Sequence, residues 1–159
     1  MTMDFRIREA HPGDEAALFS MIRALARFER LEHAVTGSPE ELGRHLFGER
    51  PLVEALIAEA ADGAALGFAL FFGTYSTFLT RPGLYLEDLF VVPEARRRGI
   101  GTALLRAVGR LARERGLARL EWAVLDWNGA AIAFYEKMGA TVLPDWRICR
   151  VSGPAFDTF

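Results

Sequence analysis

The sequence has 159 residues, of which 51% are hydrophobic and 25% charged, with a net charge of −2. This composition excludes a disordered or collagen-like chain, and the length suits a single domain over 1–159 burying roughly 68–70% of its unfolded surface without a metal or disulfide. The near-zero charge argues against general nucleic-acid binding, and no stretch approaches the roughly 20 apolar residues that cross a bilayer. The charged start, Met1 to Ala10, is unlike a secretory leader, so the expected location is the cytoplasm.

Phe5–Arg8 alternates with period two and reads as a first strand. After His11-Pro12-Gly13, Asp14 can cap a helix whose Leu18, Met21, Ile22, Leu25 and Phe28 recur every three or four residues. Ser38-Pro39-Glu40-Glu41 is a capping box with proline at the first helical position, and Gly48 marks the stop. Val53–Ala60 and Ala65–Tyr75 are apolar runs joined across Asp62-Gly63, which predicts an antiparallel hairpin. A loop over Ser76–Gly83 leads to a strand over Leu84–Val92, an apolar run interrupted by two adjacent acids, Glu87 and Asp88. Gly99–Arg115 has helical spacing through Ile100, Leu104, Leu105, Val108 and Leu111, with Gly116 as its C-terminal stop. A strand over Leu120–Leu125 and a helix over Ala130–Met138, ended by Gly139, follow. Thr141–Leu143 and Trp146–Val151 read as closing strand segments, with Cys149 as a small core residue. The order of elements is that of an α/β protein, a mixed sheet with helices on both faces.

Charge is distributed unevenly. Residues 1–95 hold 8 arginines against 15 acids, whereas 96–159 hold 10 arginines and Lys137 against 6 acids. Scatter over folded surfaces gives such an imbalance, and so does a site where an anionic ligand meets the second part and a cationic one the first. The single cysteine and the scattered histidines, His11, His33 and His45, have no metal-ligand spacing, and no metal is expected. Arg106, Arg110, Arg113 and Arg115 lie on one helix side without interleaved aromatics, the pattern of a solvated face.

The chemistry concentrates where the strand ending at Val92 gives way to the helix. In Arg96-Arg97-Arg98-Gly99-Ile100-Gly101-Thr102 two glycines let backbone N–H groups at a helix N-terminus approach an anion, whose charge the helix dipole favours. No Gly-Lys-Ser/Thr follows, and the third glycine of a dinucleotide fingerprint is missing. The pattern Arg/Gln-x-x-Gly-x-Gly/Ala after an apolar strand resembles the GNAT superfamily of N-acetyltransferases. The resemblance implies a mostly antiparallel mixed sheet with a splayed parallel strand pair at the cofactor site. It also implies acetyl-CoA as co-substrate, with its pyrophosphate on Arg96 to Thr102. A second block, Asn128-Gly129-Ala130-Ala131-Ile132-Ala133-Phe134-Tyr135, resembles the family's helix in which the asparagine bonds the pantetheine arm and the tyrosine protonates the leaving thiolate. A phenol suits that task, since its pKa near 10 leaves it protonated at neutral pH while the thiolate's conjugate acid lies near 8.5.

Ala26 to Leu31, Glu49-Arg50-Pro51, Tyr75 to Phe78, Tyr85 to Val91 and Leu125 to Asn128 resemble the diamine and thialysine acetyltransferase branch, so the likeness covers nearly the whole chain. Carried over, Glu87 lies beside the acceptor amine, Phe28 and Glu29 help hold a cationic substrate, and the backbone of Leu89, Phe90 and Val91 binds pantetheine and polarises the acetyl carbonyl. An ammonium must lose its proton before nitrogen attacks, which is work for a carboxylate, directly or through water. The resemblance thus implies direct acetyl transfer to a primary amine of a diamine, polyamine, lysine or thialysine-like molecule by a homodimer, with no membrane or nucleic-acid partner. Other acceptors, such as a protein or antibiotic amine, stay open, as does an idle acetyl-CoA sensor, although a pure binder needs neither Tyr135 nor Glu87.

Overall fold

A computed structural model describes residues 4–159. The chain forms β1 (Phe5–Glu9), α1 (Glu15–Phe28), α2 (Pro39–Phe47), β2 (Glu54–Ala60), β3 (Ala65–Ser76), β4 (Arg81–Val91), α3 (Ile100–Glu114), β5 (Leu120–Glu121), α4 (Gly129–Lys137) and the short α5 (Pro154–Asp157). It divides into two compact units, Met1–Ala123 and Val124–Phe159.

The first unit holds a five-stranded sheet in the order β1-β2-β3-β4-β5, antiparallel except for the parallel pair β4 and β5. The Asp62-Gly63 turn closes the β2–β3 hairpin, with Gly63 at φ +88° and the Asp62 carboxylate accepting from the Ala64 N–H. On one face Leu18 and Met21 of α1 and Leu46 of α2 bury against Ala55, Ile57, Phe68, Leu70 and Phe90. The opposite face meets α3, whose Ile100, Leu104, Leu105 and Val108 are buried. Gly67 marks how closely the layers approach: a Cβ there would lie 2.5 Å from the Phe90 carbonyl oxygen and 3.4 Å from the Leu104 side chain.

Helix ends follow the sequence signals with two departures. The Ser38 hydroxyl accepts from the Glu41 N–H, as the capping box requires. Asp14 precedes α1 without capping it; its carboxylate instead binds the Arg8 guanidinium and the His11 N–H, tying β1 to the helix entrance. The Arg8 charge holds the Asp14 carboxyl below its usual range. Helices α3 and α4 end in paired backbone bonds around left-handed Gly116 and Gly139. Helix α1 ends the same way around Arg30, at φ +61°, where the sequence supplies no glycine.

The C-terminal end corrects the sequence reading. The expected strand over Leu120–Leu125 pairs only through Leu120–Glu121, and neither Thr141–Leu143 nor Trp146–Val151 forms a strand. A strand needs an edge to pair with, and the unit Val124–Phe159 contains no other strand. Cys149 is accordingly exposed rather than in a core. The loop expected over Ser76–Gly83 shrinks to residues 77–80, because β3 and β4 pair out to Ser76 and Arg81.

Candidate active site

The two acids in β4 sit on a break in the ladder. Opposite Leu70 lies Asp88 and opposite Phe71 lies Leu86, so Glu87 is the extra residue of a β-bulge. In a regular strand Glu87 and Asp88 would point to opposite faces. The bulge resets the alternation: Leu84 and Leu86 share the α3 face, whereas Asp88 and Phe90 share the face of Leu70 and α1, and Glu87 lies on that face with Tyr85. Both carboxylates therefore serve one side of the sheet. Glu87, the bulged residue, is exposed.

Glu29, just past the end of α1, completes an acidic trio with these two. Burial, and after it the negative charges of Glu87 and Glu29, push the Asp88 carboxyl up to about 7. Burial also raises the Glu29 carboxyl. Sequence reasoning passed over Asp88 as a site candidate; its signal was a second acid beside Glu87 in an otherwise apolar strand. Ser76 is buried and accepts from the Leu79 N–H to shape the β3–β4 turn.

Phe28 precedes Glu29 and is half exposed. Across it lies Arg96, whose guanidinium carbon is 5.4 Å from the Phe28 ring centroid and 5.7 Å from that of Phe90, while its Nε donates to the Val91 carbonyl at 3.0 Å. The first arginine of the loop is thus laid back along the end of β4.

Arg97 and Arg98 are exposed, and the backbone turns left-handed twice, at Arg97 (φ +61°) and Gly99 (φ +80°), before α3 begins at Ile100. Glycine carries the second turn at no steric cost, whereas Arg97 carries the first against its preference. This loop opens α3 with exposed cationic side chains and helix-terminal N–H groups, a chemistry that fits a pyrophosphate. Ile100 is buried and anchors the helix, and Gly101 and Thr102 are half-buried in its first turn. In the first part of β4, β5 pairs with it only at Leu84–Leu120 and Tyr85–Glu121. From Leu86 to Val91 no strand among the described residues pairs with that side of β4, so alternate backbone groups around Leu89, Phe90 and Val91 stay outside the ladder.

In the second unit, Asn128 caps α4, its Oδ1 accepting from the Ala131 N–H at 3.2 Å. That use leaves its amide NH2 as a donor. Tyr135 lies on the same helix, half-buried, with its ring 5.4 Å from that of Phe134. A separate cavity of about 460 Å³, lined by Leu46, Phe47, Val53, Leu56, Phe71 and Phe72 among others, includes none of these residues. Its rim carries Glu54, which Arg115 neutralises through two 2.7 Å bonds.

Residues 20–140 match the acetyltransferase (GNAT) family. The chain belongs to that family. This acetyltransferase is 38% identical to the thialysine N-epsilon-acetyltransferase of Mus musculus, over 94% of each chain. It is 34% identical to an L-ornithine N5-acetyltransferase of Arabidopsis thaliana, over 94% of this chain and 85% of that one. Among solved structures, an integron cassette protein of V. cholerae superposes with a TM-score of 0.80 at 25% identity, covering 99% of this chain and 97% of the other. An aminoglycoside acetyltransferase in complex with sisomicin, 17% identical with a TM-score of 0.77 over 93% and 95% of the two chains, shares the fold. The enzyme is therefore a GNAT N-acetyltransferase with the mixed sheet of that family.

Proposed function

We propose that this enzyme acetylates the side-chain amine of a small diamino acid or diamine, such as thialysine, ornithine, lysine or putrescine, by direct transfer from acetyl-CoA. The observation that carries the reading is the bulge at Glu87, which turns two adjacent carboxylates onto the face where Glu29 ends α1. Relatives named for thialysine and ornithine support the acceptor class.

Each residue then has a task. Glu29 and exposed Glu87 attract the ammonium, and the Phe28 ring flanks its alkyl chain. Asp88, poised near neutrality, accepts the ammonium proton and frees the nitrogen lone pair. The nitrogen attacks the thioester carbonyl carbon while the N–H groups around Phe90 stabilise the oxyanion. As the C–S bond breaks, Tyr135 gives its proton to the sulfur, the acylated nitrogen releases its remaining extra proton to water, and water in turn reprotonates the phenolate. Arg97 to Thr102 hold the pyrophosphate, joined by Arg96, and the Asn128 amide holds the pantetheine arm. The enzyme works as a homodimer, a reading that the family resemblance supports.

The test is thiol release from acetyl-CoA with thialysine, ornithine, lysine, putrescine and spermidine, run beside Tyr135→Phe. One of the first four amines should give the fastest turnover, and the variant should lose about 100-fold or more in kcat. Acetyl-CoA binding without turnover on any amine would reject the small-amine reading in favour of a larger acceptor or a sensor.

A further inference from the structure

We infer that Arg119 and Glu121 are specificity-determining residues that bind the α-carboxylate and the α-ammonium of the acceptor, so that an amino acid with a side-chain amine is preferred over the diamine of the same chain. Phe72, Tyr85 and Glu121 stand directly opposite one another across β3, β4 and β5, so their side chains share one face, the face on which Glu87 lies. The Phe72 and Tyr85 rings are 5.4 Å apart and half-buried. Burial first, and after it the charges of Glu87 and then Glu121, raise the pKa of the Tyr85 phenol, which stands between these two acids. Arg119 lies two residues before Glu121 and on the same face, its Nε donating to Glu121 Oε1 at 2.9 Å. Gly83 in β4 leaves room for it: a Cβ there would lie 3.5 Å from Arg119 Cγ and 2.8 Å from the Arg119 carbonyl oxygen.

Along this face the chemistry runs from the carboxyl groups of Asp88 and Glu87, past two aromatic rings, to a carboxylate and a guanidinium side by side. The complementary molecule has an ammonium, an alkyl chain, and then an ammonium and a carboxylate on one carbon, which is a diamino acid. Length agrees. Two residues of β4 carry the chain from Glu87 to Tyr85, roughly 6–7 Å of strand, and four or five bonds between a side-chain amine and its α-carbon span roughly 5–6 Å. The Arg119–Glu121 contact uses one nitrogen and one oxygen, leaving the terminal NH2 groups of Arg119 as a fork for a carboxylate and Glu121 Oε2 as an acceptor for an ammonium. Both side chains are open to a ligand, at 45% and 38% exposed. The inference rests on the reading of Glu87 and Asp88 as the place where the reacting amine binds.

The experiment compares initial rates with ornithine against putrescine, lysine against cadaverine, and thialysine against bis(2-aminoethyl) sulfide, pairs that differ only in the carboxylate, for the native enzyme, Arg119→Gln and Glu121→Gln. For the fastest pair the native kcat/KM should favour the amino acid by about 10-fold or more. Arg119→Gln should abolish that preference, lowering kcat/KM for the amino acid about 10-fold through KM while the diamine changes by less than about 2-fold. Glu121→Gln should raise KM for both members of the pair, since each has an ammonium at its far end, with kcat nearly unchanged. A native enzyme that prefers the diamine overturns the inference and leaves the small-amine reading standing. So does an Arg119→Gln variant that keeps the native preference or loses both substrates equally, and so does a Glu121→Gln variant whose KM values match the native ones. Turnover on none of the amines rejects the small-amine reading and the inference together.

Discussion

The proposed chemistry turns on where single carboxylates stand. Asp88 is raised from an ordinary 3.8 to about 7, so between those values the folded protein holds a proton that the unfolded chain has lost. The contribution to stability is complete below about pH 4 and disappears as pH rises through 7, a loss on the order of 4 kcal/mol. Asp88→Asn removes this term: urea unfolding should show the variant more stable than the native protein at pH 8 and nearly equal to it at pH 4. The same substitution tests the catalytic role. The native kcat/KM should rise through a limb near pH 7 that the asparagine variant lacks, together with about 100-fold of its rate. A variant that keeps the limb would move the proton acceptor elsewhere.

At the scale of elements, two glycines separate backbone strain from steric closure. Gly99 sits at φ +80° with open space where a Cβ would lie, so Gly99→Ala should cost about 1–2 kcal/mol from the left-handed turn alone. CoA affinity should fall with it, because the loop N–H groups turn away, and calorimetry on the variant measures both effects. Gly67 has no unusual φ, but a Cβ there would press to 2.5 Å from the Phe90 carbonyl oxygen in the adjacent strand. Gly67→Ala must part β3 from β4, so it should cost more than about 2 kcal/mol in urea melts and lower kcat by displacing the backbone around Phe90. If Gly67→Ala proved the milder of the two, the close approach of these strands would not set the site.

At the scale of the whole molecule, Trp146, Ile148, Phe156 and Phe159 stand 66–93% exposed in the C-terminal segment. The proposed homodimer would cover apolar groups of this kind. Sedimentation should therefore find a particle of about twice the 17.7 kDa chain mass, and Trp146→Asp combined with Ile148→Asp should shift it to the monomer. A native protein that sediments at the chain mass would remove the homodimer from the proposal.

What the sequence determined by itself is what local physics and short motifs determine. Helical spacing placed α1 and α3, Ser38 marked the start of α2, Asp62-Gly63 marked a hairpin, and the run Arg96 to Thr102 announced a helix N-terminus shaped for an anion. Adjacent acids in β4 signalled a site, yet period-two reasoning assigns them to opposite faces, and only the pairing of β4 against β3 reveals the bulge that brings them together. The burial that sets the Asp88 proton, and the rings that hold Arg96, come from α1 and β4, segments some 60 residues apart in the chain. The same distinction explains the end of the chain: Trp146–Val151 has the composition of a strand, but composition supplies no edge, and strand formation is decided by the partner that tertiary structure provides or withholds.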